Sequence, residues 1–160
     1  MKRVLFISFL FCCASLTAQE SNFWNKVRFG GGFGLGFGNN NTTVAISPSA
    51  VYDFNEQFSL GLGVGYLYNK QNNFSSNVYS GSIISLYNPM NEIQLSAEFE
   101  HLFVNRRSRS FTENYNYPAL YLGAAYRTGH VSFGIRYDVL YDKNKSIFAS
   151  PISPIVRIFF

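Results

Sequence analysis

The composition of this chain indicates one small domain with a large apolar content. Of its 160 residues, 47% are hydrophobic, 18% are aromatic and only 14% are charged. Globular domains usually carry about 25% charged residues, so we do not expect this surface to face water everywhere. Lysine and arginine exceed aspartate and glutamate by 13 − 9 = 4. Lys2 and Arg3 belong to a segment that we expect to be removed, and the remaining excess of 11 − 9 = 2 is too small to suggest a nucleic-acid-binding protein.

Residues 1–18 have the features of a cleaved secretory signal, and residues 19–160 would form the mature domain. Lys2 and Arg3 give the segment a positive start, residues 4–13 form an apolar run, and small residues occupy positions 17 and 18. The apolar run is too short for a membrane-spanning helix.

The two cysteines, Cys12 and Cys13, both lie inside this signal. A lipoprotein anchor is the weaker interpretation, because neither cysteine follows the small residue that lipoprotein processing requires. We therefore expect a mature chain without cysteine, which excludes disulfides, cysteine-ligated zinc and thiol catalysis.

The mature sequence is dominated by a period of two, which is typical of β-strands. In residues 27–38 the odd positions are mostly apolar and the even positions are mostly glycine. We predict eight strands with one apolar face and one polar or very small face; the faces of the fourth cannot be assigned from its mixed pattern. The segments are residues 27–38, 43–52, 58–68, 78–87, 92–101, 120–127, 131–141 and 152–160.

This pattern predicts an all-β, eight-stranded antiparallel up-and-down transmembrane barrel whose apolar face points outward. A soluble sandwich or carrier would need a charged exterior, and the polar face here is too sparse in charge and too rich in glycine for that role. The connections agree with a membrane barrel. Residues 53–57, 88–91 and 127–130 form short turns, whereas residues 69–77, 104–117 and 142–149 form longer loops on the opposite side.

Motifs along nearly the whole mature chain resemble a family of small exported barrels from Bacteroidota. They are VRFGGGFGLGFG, SAVYDFNEQFSLGLG, NEIQLSAEFE, PALYLGAAYRTG, SFGIRYDVLYDKNKSI and the closing PIVRIFF, within residues 23–160. The resemblance implies an OmpX/OmpA-like eight-stranded outer-membrane barrel. Members of the family often carry the label alpha-ketoglutarate decarboxylase, which we reject here. A thiamine-dependent decarboxylase needs a large cofactor site with a Mg²⁺-diphosphate anchor, and a barrel of about 140 residues filled by side chains has no room for it.

Charged residues on the predicted interior face are the first candidate site. They are Glu98, Glu100, Arg136, Asp138 and Arg157. Buried charges must be paired, so we expect a Glu–Arg network. A structural plug is favoured over a gate whose pairs exchange to open a path.

Three arginines in the predicted longest outer loop are the second candidate. Arg106, Arg107 and Arg109 could bind lipopolysaccharide phosphates or an acidic surface ligand, although a solvated charged loop is the favoured interpretation. His130 and Ser132 form an H-x-S pair like that of outer-membrane lipid A deacylases, but both are expected to point inward at the wrong end of the barrel.

We therefore expect a non-enzymatic, monomeric outer-membrane barrel without metal or cofactor, serving envelope integrity or surface interaction through its outer loops. Its expected partners are outer-membrane lipid, lipopolysaccharide and the barrel-assembly machinery, which would recognise the last strand ending at Phe160. The alternatives are a lipid-modifying barrel enzyme and a soluble lipocalin-like periplasmic carrier.

Overall fold

A computed structural model shows a closed barrel of eight antiparallel strands in chain order, which confirms the predicted all-β, eight-stranded up-and-down barrel. The structure describes residues 21–38, 41–71, 74–107, 112–148 and 150–160. The predicted signal at residues 1–18 therefore lies outside the described residues. After a short helix α1, Ser21–Trp24, the strands β1 to β8 are Val27–Gly38, Asn41–Asp53, Phe58–Gln71, Phe74–Met90, Ile93–Arg107, Thr112–Thr128, Val131–Asp138 and Ile152–Phe159.

Side chains alternate between the barrel wall's two sides, and the large apolar ones are concentrated outside. On β3, Leu62 and Val64 are 67% and 63% exposed, while their neighbours on the opposite face are glycines. Soluble proteins rarely expose such a continuous apolar surface. Among the described residues, no helix is long and apolar enough to cross a membrane.

The structure assigns the faces of β4, which the sequence left open. Ile84 and Leu86 are buried in the interior, whereas Tyr79, Ile83 and Tyr87 are exposed on the outside. The alternation is regular, but both faces carry apolar residues over this part of the strand. Hydrophobicity alone therefore could not identify the inner face.

Two of the three predicted long loops are wrong, because β3 to β6 continue well beyond the predicted strand ends. Lys70 pairs with Ser75 across β3 and β4, and Arg107 pairs with Thr112 across β5 and β6. These extensions carry polar residues on both faces, so their sequence has the composition of a loop. Cross-strand contacts such as the 2.6 Å hydrogen bond from Asn105 Nδ2 to Asn114 Oδ1 connect them as sheet.

The connection between β7 and β8 is the predicted long loop that remains irregular, and it begins earlier than expected. β7 ends at Asp138, so the predicted strand end at residue 141 is wrong. The side chain of Asp138 accepts hydrogen bonds from the backbone of Leu120 and Leu140. The Asp138 carboxylate therefore occupies the Leu120 amide of β6, which would donate to the backbone of β7 if β7 were longer.

Apolar clusters occupy both ends of the interior. At the turn end, Val51, Ile84, Leu86 and Phe159 form one buried cluster. A second cluster lies toward the extended end of β4, β5 and β6 and comprises Val78, Leu102, Val104, Tyr117, Ala119 and Tyr121, with Ile147 from the β7–β8 connection packed against it. Charged side chains lie between the two clusters.

The barrel closes where the first and last strands meet, and glycine makes this approach possible. Gly30, Gly31 and Gly32 pair with residues of β8. A Cβ atom on Gly30 would overlap the Ile158 carbonyl oxygen, and Gly31 combines a φ of 146° with close contact to the Ser47 carbonyl. Any larger residue at these two positions would force the strands apart.

Candidate functional site

One glutamate from β5 holds two arginines at the centre of the interior. Glu98 Oε2 lies 2.8 Å from Arg157 Nη2 and 3.2 Å from Arg136 Nη1. The Glu98 and Arg157 side chains are only 8% and 7% exposed, and the Arg136 side chain is 20% exposed. Because one carboxylate receives both guanidiniums, this cluster joins β5, β7 and β8 across the barrel. We call these three residues the Glu98 cluster.

The two arginines have further partners that fix their orientation. Arg157 Nη1 donates to Ser96 Oγ at 3.3 Å, and Arg136 Nε donates to Ser153 Oγ at 3.2 Å. The Arg136 guanidinium also lies 3.9 Å from the ring centroid of Tyr121, a cation–π contact. The Tyr121 hydroxyl is buried without a hydrogen-bond partner among the described residues.

The other two predicted interior carboxylates lie inside the barrel but outside this cluster. Asp138 is buried and accepts from the Leu120 and Leu140 amides at 3.2 and 3.0 Å. Glu100 is hydrogen-bonded by Ser80. Among the described residues, neither carboxylate has a cationic nitrogen within 4 Å, so the expected pairing holds for Glu98 alone.

A separate ion pair lies at the turn-side rim, and its residues are not among the predicted site residues. Arg28 donates to both Asp53 oxygens at 2.7 Å, and Ser59 also donates to Asp53. Burial alone would raise the pKa of Asp53, but the hydrogen bonds from Arg28 and Ser59 outweigh it and place the pKa below its ordinary value. Both residues occupy inward positions at paired strand ends, which is the signal that could have identified them.

The H-x-S pair does not form a catalytic arrangement. Ser132 is buried and donates to Gln94 Oε1 at 3.1 Å. His130 is exposed, stacks on Phe160 with ring centroids 5.7 Å apart, and has its Nδ1 2.9 Å from the Phe159 carbonyl oxygen. The expectation that both side chains point inward is therefore wrong for His130, and the hydroxyl is engaged by an amide rather than by a base.

The outer arginines do not form one surface cluster. Arg106 and Arg107 lie on β5, not in a loop, and successive strand residues point to opposite faces. Arg106 is half-buried, donates to the Tyr115 hydroxyl at 3.1 Å and lies over its ring, whereas Arg107 is exposed. Arg109 lies outside the described residues. Arg106 and Arg107 point to opposite faces because the sheet continues through the segment predicted to be a loop.

The sequence predicts an interior filled by side chains. This prediction is wrong, because the interior contains a cavity. A cavity of about 400 Å³ lies between the Glu98 cluster and the small inward residues of β1, β2 and β3. Those small residues include Gly32, Gly34, Ser47, Ser49 and Gly65. The side chains from the opposite wall fill only part of the space that these residues leave.

Within the part of the chain that the structure describes, no group of three histidine, cysteine, aspartate or glutamate side chains could hold a metal ion. Neither the comparison with protein-family models nor the search of curated proteins gives a match. The geometry of the interior therefore carries the functional argument.

Proposed function

We propose that this chain is a non-enzymatic outer-membrane barrel that inserts its apolar outer face into lipid. The observation that carries the proposal is the inverted distribution of side chains. Large apolar residues such as Leu62 and Ile135 are exposed, while the Glu98 cluster is enclosed. In water, the exposed apolar side chains and the enclosed charges would both be unfavourable. A surrounding hydrocarbon phase favours the exposed apolar side chains and makes it necessary to enclose the charges.

Aromatic side chains bracket the apolar band. At the turn end, Tyr52 stacks on Phe23 and meets Phe54 edge-to-face, with ring centroids 5.0 Å apart at each contact. Toward the extended end, the rings of Tyr66 and Tyr79 lie 5.3 Å apart. Aromatic residues favour the membrane–water interface, and these two groups have the arrangement of interfacial girdles.

The distance between the girdles suits a bilayer. On the outer face of β3, Phe58 and Tyr66 enclose Leu60, Leu62 and Val64, a span of 66 − 58 + 1 = 9 residues. A tilted strand needs about 9–11 residues to cross the hydrocarbon core. The extensions of β3 to β6 beyond Tyr66 would then stand outside the membrane.

The proposed role is envelope integrity or surface interaction, with the polar strand extensions as the contact surface. β1 begins and β8 ends on the turn side, so the turns would face the periplasm and the extensions the outside. Phe160, exposed at the end of β8, has the position that barrel-assembly machinery would recognise. Monomeric state and lipopolysaccharide contact are part of the same proposal.

The first test is the migration of the protein from purified outer membranes on a detergent gel, boiled and unboiled. We expect a band in the outer-membrane fraction whose migration changes on boiling, because membrane barrels resist detergent until heated. A band in the soluble periplasmic fraction that does not shift would overturn the proposal and favour the lipocalin-like carrier.

A substitution in the apolar band sharpens this test. Leu62→Arg should destabilise the barrel in lipid vesicles by about 2–4 kcal/mol, because the cation would face hydrocarbon near the middle of the band. Glu56→Arg, which puts the same cation on an exposed turn, is the matched control and should change stability little. Equal urea midpoints for the two variants in vesicles would contradict an embedded outer face.

A further inference from the structure

The seam that closes the barrel is paired over only part of its length. β1 and β8 share three register pairs, from Gly30 with Phe159 to Gly32 with Arg157. β1 continues to Gly38 paired with β2 alone, and β8 from Ile152 to Val156 pairs with β7 alone. Each strand therefore has an unpaired edge facing the other beyond this short seam, within the residues that the structure describes.

The interior cavity borders this gap. Its lining includes outward residues from both edges, Phe33 and Leu35 of β1 and Ile152 and Pro154 of β8. All but Pro154 are large apolar side chains exposed on the outer face. The gap is thus an apolar portal at the level of the membrane band, which leads into a polar cavity.

Among the described residues, apolar side chains lie toward both ends of the interior, on either side of the cavity. At the turn end, the cluster of Val51, Ile84, Leu86 and Phe159 closes the interior. At the extended end, Ile147 of the β7–β8 connection packs on the second apolar cluster, and Phe148 lines the cavity. Unpaired backbone is tolerated at membrane depth only where it is buried in protein or lines a water-filled cavity, and the unpaired edges at the seam lie beside the polar cavity.

The arrangement of charges that line the cavity leaves one carboxylate for a cation. Arg136, Arg157, Glu98 and Glu100 line the cavity with a formal sum of 2 − 2 = 0, whereas Asp138 is buried outside the lining. The arginines are both engaged by Glu98, and Asp138 is held by backbone amides. Glu100 lines the cavity with Ser80 as its hydrogen-bonding partner, and no cationic nitrogen of the described residues lies within 4 Å.

We propose that the cavity receives, through the portal between β1 and β8, the ammonium head of a membrane amphiphile, which pairs with Glu100. The alkyl or acyl chain would remain in the portal against Phe33, Leu35 and Ile152. A volume of about 400 Å³ lies within the range of small-molecule pockets, about 300–1,000 Å³. The inference rests on the proposed membrane location, because the bilayer is the source of the amphiphile.

The test uses the protein folded in dodecylmaltoside micelles, with the gel shift on boiling as proof of folding. We would titrate dodecylammonium and follow the NMR resonances of the Gly34 and Gly65 amides and of Arg136 Nε. Saturable shifts are expected. N-dodecylacetamide and laurate, which have neutral and anionic heads on similar chains, should require at least about tenfold higher mole fractions for half-saturation.

Two variants test separately whether binding requires the Glu100 carboxylate and whether it requires the cavity volume. Glu100→Gln should weaken dodecylammonium binding by about tenfold or more, and the exposed Glu92→Gln is the matched control that should leave it unchanged. Gly34→Phe should abolish binding by filling the cavity. Its Cβ would meet only the Ala45 Cβ, at 3.6 Å, so this variant should fold with every charge in place even where Glu100→Gln does not.

Failure of the ammonium site and failure of the proposed membrane location would give different results. Equal effects of the three probes, or full binding by folded Glu100→Gln or Gly34→Phe, would overturn the ammonium site while the gel shift still supports a membrane barrel. Loss of the gel shift in the unsubstituted protein would overturn the membrane proposal itself. Lysophosphatidylethanolamine, tested in the same way, shows whether a lipid headgroup or a free alkylamine is the better occupant, and both contain the proposed chemistry.

Discussion

The two ion clusters inside this barrel use the same chemistry in different surroundings. At the rim, Arg28 and Asp53 form a one-to-one pair whose side chains remain 22% and 29% exposed. In the middle, Glu98 pairs with both Arg136 and Arg157; Glu98 and Arg157 are only 8% and 7% exposed, whereas Arg136, at 20%, is about as exposed as Arg28. Bulk water can replace a lost partner at the rim, whereas the middle of the barrel offers only the neighbouring side chains and the interior cavity.

This difference indicates that the pairs should matter unequally to stability although their distances are similar. A charge that loses its partner in a low-dielectric interior retains its full desolvation penalty. The same loss near water is compensated by hydration and screened by salt. Urea unfolding in lipid vesicles, followed by the fluorescence of Trp24, the single tryptophan, measures this contrast.

Removal of the shared carboxylate should have the largest effect. Glu98→Leu leaves Arg136 and Arg157 without their carboxylate partner, so we expect a loss of about 3–5 kcal/mol in the free energy of unfolding. Glu92→Leu, at an exposed turn position, is the control and should change stability by less than about 0.5 kcal/mol. A Glu98→Leu barrel as stable as the control would show that the central charges do not depend on one another.

The two central arginines should differ from each other. Arg157→Met removes the shorter and more buried contact to Glu98 and should lower stability by about 2–3 kcal/mol. Arg136→Leu leaves Glu98 paired with Arg157, so its loss should be smaller, about 1–2 kcal/mol, and should include the cation–π contact with Tyr121. The reverse order of urea midpoints would contradict a hierarchy based on burial.

Much of this architecture could be predicted from the sequence because a strand between lipid and a polar interior must alternate. The faces of β1, β3 and β5 follow from that constraint. β4 did not reveal its faces, since Ile83 and Ile84 point to opposite sides and both are apolar. The strand extensions were also missed, because backbone pairing can continue through polar residues such as Asn105 and Asn114 without a hydrophobic signal.

The candidate site was harder to predict from the sequence than the fold. Alternation places Glu98, Glu100 and Arg157 on the inner face, but it does not specify which of them meet. Partner choice depends on barrel stagger, which brings Glu98 to Arg157 across a sequence separation of 59 residues. The short seam between β1 and β8 depends on the same stagger, so neither the cavity nor its portal has a local sequence signature.

The rim pair should show a modest and salt-sensitive effect. Arg28→Met removes the two contacts to Asp53 and should lower stability by about 1 kcal/mol at low ionic strength, since both partners are partly hydrated. Raising the salt concentration to about 1 M should shrink this difference. The effect of Glu98→Leu should persist under the same conditions, and equal salt sensitivity of the two variants would remove the distinction between rim and middle.

The smallest effect is expected where the central region contains a polar atom without a partner. The Tyr121 hydroxyl is buried beside the Glu98 cluster and makes no hydrogen bond to the described residues, while its ring supports the Arg136 guanidinium. Tyr121→Phe keeps that ring and removes only the hydroxyl, so stability should be unchanged or rise by up to about 1 kcal/mol. Tyr121→Leu, which removes the aromatic face as well, should be less stable than Tyr121→Phe. A clear loss of stability in Tyr121→Phe would mean that the hydroxyl has a partner in the membrane, and the central region would then depend on neutral hydrogen bonds as well as on paired charges.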